Sequence, residues 1–146
     1  MTWARAGNLY QLRLEPGEDV PATIVAFVRE RDIGSGLIAG LGAADKVVLG
    51  YFDRGTRQYE KREFPGECEI ASITGNIAWA GAEPVCHLHA VVAGAGQNAW
   101  AGHLFEAKVT VTCEVSIVAG QGKLRRAEDM KTGLNLLDLS QSGQGG

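Results

Sequence analysis

All three histidines of this chain fall within one stretch, Pro84 to Glu106 (PVCHLHAVVAGAGQNAWAGHLFE). In a strand, alternate side chains share a face, so His87 and His89 point one way while Cys86, Leu88 and Ala90 point the other. Gly94 to Asn98 (GAGQN) is rich in turn residues and lies between two apolar runs, which predicts a hairpin. With the turn centred on Gly96, His103 lies opposite His89, with Cβ atoms about 4.5–5.5 Å apart. His87 then sits on the diagonal, about 7–8 Å from His103 on the same face. Three imidazoles converge.

Neutral imidazole is a ligand for zinc, iron, nickel and copper. Three such ligands leave a fourth tetrahedral position open, the pattern of a catalytic or ligand-binding centre, whereas structural zinc sites are closed. The convergence depends on register, because a one-residue slip sends His103 to the other face. Spacing alone leaves two readings open: a metal site at His87, His89 and His103, or three unconnected strand histidines.

A sheet must hold that hairpin, and the chain supplies one. Asn8 to Leu14 alternates apolar and polar and predicts a first strand. Asp19 to Arg31 is the one segment with helical spacing, through Val20, Ile24, Phe27 and Val28. Pro21 suits its first turn, Glu18 and Asp19 complement its N-terminus, and Gly34 stops it. Strands are predicted at Leu37 to Ala43, Lys46 to Phe52, Gln58 to Phe64 and Glu67 to Trp79, the last bulged at Gly75 and Asn76. After a turn at Gly81 to Pro84 comes the histidine hairpin, whose second arm runs on through Leu104 to Val118. Strict alternation puts Ala107, Val109, Val111, Cys113, Val115 and Ile117 on the apolar face. His103 has the same parity, so the site is expected to open from the core side, with Glu106 and Glu114 on the opposite face.

A short strand at Leu124 to Met130 and an apolar ending at Leu134 to Leu139 follow. The fold class expected is α+β: one main helix on a mostly antiparallel sheet of about seven or eight strands. Residues 1–139 are expected to form a single domain and Ser140 to Gly146 a flexible tail. The long strands offer more surface than one helix covers, which invites self-association, with Trp79 and Trp100 as interface anchors or as caps on the monomer's own core.

Composition narrows the classes. The 146 residues are 45% apolar and 21% charged, ordinary for a soluble globular protein. A net charge of −3 gives no global reason to bind nucleic acid. No apolar run has membrane-spanning length, and the first ten residues contain no signal-peptide core. Cys68, Cys86 and Cys113 form no Cys-x-x-Cys pair and read as buried hydrophobes of a reducing cytoplasm. Gly34, Ser35 and Gly36 precede no helix, so they are not a dinucleotide loop.

Several short stretches, taken in order, carry a family resemblance: Gly40 to Ala43 (GLGA), Leu49 to Asp53 (LGYFD), Glu69 to Ala78 (EIASITGNIA), His87 to Ala90 (HLHA), Gly102 to Glu106 (GHLFE), Glu114 with Val115, and Thr132 to Leu136 (TGLNL). Their order and spacing resemble the plants-and-prokaryotes-conserved (PPC) domain over about Tyr10 to Leu139. The resemblance implies a curved antiparallel sheet assembled as a homotrimer. Prokaryotic members with His-x-His and a later Gly-His-Leu look like metal binders, which implies His87, His89 and His103 as ligands. The chain differs from plant members in lacking an Arg-Gly-Arg-Pro AT-hook core.

Three functions compete. The first is a cytoplasmic homotrimeric module that binds zinc, or another divalent transition metal, and has a pocket for an unknown small molecule. The second is a DNA-binding or transcription-associated protein, using Arg54, Arg57, Lys61 and Arg62 or Lys123, Arg125 and Arg126. Glu60, Glu63, Glu128 and Asp129 interrupt or flank those groups. The third is a metal-dependent enzyme, whose catalytic residues are unknown; Glu69, Glu106 and Glu114 are its candidate bases. The metal-binding module ranks first.

Overall fold

A computed structural model of the chain describes residues 1–140. It opens with a strand outside the expected set, β1 (Thr2–Ala6). All five of its residues are exposed, so it carries no buried alternation to read. Gly7, at φ +62°, turns the chain into β2 (Leu9–Leu14), whose Tyr10, Leu12 and Leu14 are buried.

Helix α1 (Val20–Glu30) follows. Asp19 caps it, its carboxylate accepting from the Ala22 N–H, and Pro21 stands in the first turn, where no donor is lost. The other oxygen of Asp19 accepts from the Ala107 N–H, so the cap also ties the helix to the sheet. The apolar face of α1 is the one predicted, with Val20, Ile24, Phe27 and Val28 all buried.

The sheet continues as β3 (Gly36–Asp53), β4 (Gln58–Phe64), β5 (Cys68–Ala80), β6 (Glu83–Ala93), β7 (Ala99–Ala119), β8 (Arg125–Glu128) and β9 (Asn135–Asp138). Nine strands and one helix, among the described residues, make an α+β fold. The pairing is antiparallel except where β8 meets β5. The two strands expected around Ala44 and Asp45 are one, bent rather than broken, with Lys46 at φ +47°. The count therefore exceeds expectation through β1 and β9. Ser140 bonds back to Asp138 through its hydroxyl; the rest of the expected tail lies outside the described residues.

Strands β3, β5, β6 and β7 pair in a closed circuit: β3 with β5, β5 with β6, β6 with β7, and β7 with β3 again. One buried cluster fills it, including Ile38, Ile70, Ile73, Ile77, Leu88, Leu104 and Ile117. Trp79 is buried and donates its indole N–H to the Ile33 carbonyl, and Trp100 packs on Phe64 at 4.9 Å. Trp79 therefore caps this core, and Trp100, partly buried, packs against it.

Two local readings need correction. The irregularity in β5 falls between Ile70 and Ser72; Gly75 and Asn76 pair regularly with Leu88 and His87. Gly75 is there for close approach, since a Cβ would collide with the His87 carbonyl. The second correction concerns β7. Val48 pairs with Glu106 and Leu49 with Leu104, which leaves Phe105 as an extra residue. That bulge inverts the alternation, so Leu104 and Ala107 both face the core and His103 faces away from it. The site opens from the outer face, and Glu106 and Glu114 are exposed there too. Further along, β7 loops out again between Val109 and Cys113, and Val111, expected in the core, is 65% exposed.

Candidate metal centre

Hairpin β6–β7 has the register its turn residues imply. Gly94 accepts from the Gln97 N–H across the turn, and Gln97 takes a positive φ of 57°. Ala93 pairs with Ala99, and four pairs further on His89 faces His103. Leu88 and Ala90 sink into the core on the inner face, which fixes the histidines on the outer one.

The three imidazoles meet. His87 and His89 bring their Nε2 atoms to 3.2 Å. Two nitrogens bound to one tetrahedral zinc at 2.0–2.1 Å would stand about 3.3 Å apart. Ring centroids lie 5.1 Å (His87–His89), 5.0 Å (His87–His103) and 5.5 Å (His89–His103) apart, and one nitrogen from each ring falls within 4.8 Å of the others. Nδ1 of His103 is buried with no hydrogen-bond partner. A buried imidazole nitrogen without a partner is costly unless something satisfies it. The donor set therefore fits a transition metal: three nitrogens, no competing internal hydrogen bond at His103, and a face open to solvent at His89.

Electrostatics favour ligands over proton carriers. Burial, then the charges of His87, His89 and Lys61, hold His103 down at about 4. Burial, then His89 and Arg126, lower His87 below its usual range. Both rings are thus neutral near neutral pH, the form that binds metal.

Neighbouring side chains build the walls. Gly50 pairs with His103 on one edge and Lys61 on the other, which sets Lys61 and Tyr59 beside the site. A side chain at Gly50 would run into the rings of Phe105 and Tyr59. Those rings pack at 4.7 Å and 5.0 Å from the His103 ring, and the Lys61 ammonium sits 3.9 Å above Phe105. On the other side Asn76 pairs with His87, and its side-chain oxygen accepts from Arg126 at 2.7 Å.

Sequence patterning named the three histidines as candidate ligands, and Lys61 and Arg126 only as candidate DNA contacts, not as neighbours of this site. Asn76 was accessible in principle, because the turn at Gly81 sets the register that pairs it with His87. Arg126 was not; it arrives from β8 through the single parallel pairing of Arg125 with Trp79. Cys86, Lys123 and Arg62 are not part of the histidine cluster. Cys86 packs against the core, with burial pushing its thiol up to about 12. Lys123 pairs with Asp32 at 2.9 Å and lies over Trp79 at 3.6 Å, and Arg62 lies over Phe64.

Comparison with known proteins gives this arrangement its setting. The chain matches the Plants and Prokaryotes Conserved (PCC) domain over residues 1–121. It belongs to that family. It is 34% identical to a metal-containing protein of Archaeoglobus fulgidus, with a TM-score of 0.83 over 94% of this chain and 98% of that one. A candidate DNA-binding protein of Bacteroides thetaiotaomicron is 28% identical, with a TM-score of 0.93 over 96% of this chain and 98% of that one. A plant- and prokaryote-conserved (PPC) protein of Pyrococcus horikoshii is 25% identical, with a TM-score of 0.83 over 94% and 93% of the two chains. The bifunctional protein GlmU of a Synechococcus species is 29% identical over 129 residues, which are 86% of this chain and 20% of GlmU. The chain thus spans about a fifth of the length of the curated relatives it matches.

Proposed function

We propose that this PCC-domain protein binds one divalent transition metal per chain, zinc first, through His87, His89 and His103. The observation that carries the reading is the convergence of three imidazoles, each offering a nitrogen within 4.8 Å of the others. The metal-containing relative of Archaeoglobus fulgidus supports it. When bound, zinc with three histidine ligands acts as a Lewis acid with one position free for a small molecule. The protein's own residues do the rest: Tyr59 and Phe105 wall one side, and Asn76 and Arg126 border the other. Elemental analysis of protein purified without a histidine tag tests this. One metal per chain is expected, and none in His89→Ala, whose exposed side chain contributes little to the fold. Substoichiometric metal in the unaltered protein would end the reading.

The active form in this proposal is a homotrimer in the cytoplasm. Leu37 and Val118 are paired neighbours on the outer face, 55% and 41% exposed, and Leu41 and Val111 extend that apolar surface. Such a surface suits an interface between copies. Light scattering should give about three times the 15.5 kDa chain mass, and Val111→Asp should lower it. A wild-type mass that stays monomeric at all micromolar concentrations removes this part. The three cysteines are all free thiols, in keeping with a reducing compartment. No helix of the described residues is long and apolar enough to cross a membrane.

DNA binding is the second reading, because relatives from Bacteroides thetaiotaomicron and Ralstonia eutropha are described as candidate DNA-binding proteins. A metal-dependent enzyme is the third. Glu106 and Glu114 share the outer surface with the histidines, but the charges that bear on His87 and His103 are those of other histidines, Arg126 and Lys61.

A further inference from the structure

The guanidinium of Arg126 is held at the rim of the histidine cluster and is only partly used. Nη2 donates to the side-chain oxygen of Asn76 at 2.7 Å, and Nη1 donates to the Asn135 carbonyl at 2.8 Å. Nε is buried with no partner. Asn76 is the cross-strand neighbour of His87 on the outer face, so its grip places the guanidinium beside that ligand. The positive charge of Arg126 is felt at His87, as that of Lys61 is at His103.

Charge then points to the ligand. Imidazole ligands bring no negative charge to a divalent ion, and the cations Arg126 and Lys61 flank the cluster on opposite sides. With a divalent ion held there, no carboxylate among the ligands would offset the positive charge. Each Nη of Arg126 carries a second N–H beyond the bond it makes, and a guanidinium is the side chain suited to gripping a carboxylate or phosphate.

We propose that the centre binds a small molecule through a carboxylate or phosphate group, one oxygen filling the free metal position and the group anchored by Arg126. This rests on the metal-binding reading and gives its unknown ligand a chemical class. Arg126 is a binding residue in this account, and Asn76 positions it. Arg126 would otherwise serve only to pin the β8–β9 hairpin to β5, a role that needs no free donor.

Cobalt(II)-loaded protein provides the test, because its visible spectrum reports on the fourth ligand. Acetate and inorganic phosphate are titrated separately, with acetamide as the uncharged control. Saturable spectral change with acetate or phosphate, and none with acetamide, is expected, and the two anions distinguish a carboxylate from a phosphate ligand. Arg126→Met should weaken the anion at least tenfold while cobalt affinity stays within about twofold. Arg126→Lys keeps the charge without the fork and should fall between; it also serves if the methionine variant loses the hairpin. Equal anion affinity in wild type and both variants, or no anion response in wild type, overturns this proposal alone. Failure of the wild type to bind cobalt or zinc at all overturns the metal reading and this one with it.

Discussion

The histidine hairpin and the basic segments both gather like groups, yet they treat them in opposite ways. In the basic segments several cations rest on partners: Lys123 on Asp32 and Trp79, Arg62 on Phe64, Lys61 on Phe105. In the hairpin, three rings are pressed together without a carboxylate to balance them, and one nitrogen is buried unpartnered. Satisfied cations stabilise a surface modestly. Unsatisfied groups held together by a rigid scaffold cost stability, and they persist where they serve binding. Of the four buried side-chain atoms without a partner among the described residues, two belong to His103 and Arg126, at the same site. The other two are hydroxyls of Thr110 and Thr112 in the second irregular stretch of β7, where the ladder itself is interrupted.

The largest effect should separate the two faces of the hairpin itself. Leu88 is buried between His87 and His89. Leu88→Ala should cost about 2–5 kcal/mol of stability, the usual range for an emptied core leucine. His89→Ala should leave the metal-free protein's urea midpoint nearly unchanged while abolishing metal binding. Equal losses of stability from the two would mean that the outer face is structural as well.

A smaller effect comes from pH. In the metal-free protein, His103 titrates at about 4, and His87 also titrates below its normal value of 6.5. Between those values the unfolded chain holds more protons than the folded one, so stability rises with pH there. It is fully present above about 6.5 and is lost as pH falls towards 4. Urea midpoints at pH 7.5, 5.5 and 4.5 should decline in that order. The decline should shrink in a His103→Ala variant, and bound metal should steepen it, because protons compete for the same nitrogens. A midpoint constant from 7.5 to 4.5 would show that the cluster is less buried and less coupled than its geometry indicates.

These effects show what was legible in the chain. The turn residues Gly94 to Asn98 set the hairpin register, and the register alone brings His89 opposite His103. Helix α1 was legible because its cap, its proline and its apolar stripe agree. The face on which the site opens was not. It depends on one extra residue, Phe105, and a bulge leaves no mark in a run such as HLFEAKV that keeps its apolar residues close together. Arg126 was illegible for a different reason: the sequence separation between Asn76 and Arg126 is closed only by the parallel docking of β8 on β5. Strand β1 was missed because an exposed edge strand has no buried side to impose alternation.

The smallest effect expected is at the basic segments, and its smallness is the point. Arg54 and Arg57 lie at the β3–β4 turn and Arg62 on β4, interleaved with Glu60 and Glu63. The whole chain carries a net charge of −3. Affinity for DNA comes mainly from neutralised phosphates, and each one contributes to a steep loss of binding with added salt. A mixed-charge strand with its cations resting on aromatic rings has few to offer. Weak or no binding to duplex DNA is therefore expected at physiological salt. Neutralising Arg54, Arg57 and Arg62 together should change it by less than about twofold, whereas a phosphate-contacting group would reduce both the affinity and the salt slope. Fluorescence anisotropy at 50 and 150 mM salt, with approximate affinities from each, makes the check. Sub-micromolar binding at the higher salt, lost in the triple variant, would reverse the comparison: the basic turn would be the working surface and the histidine cluster its structural support.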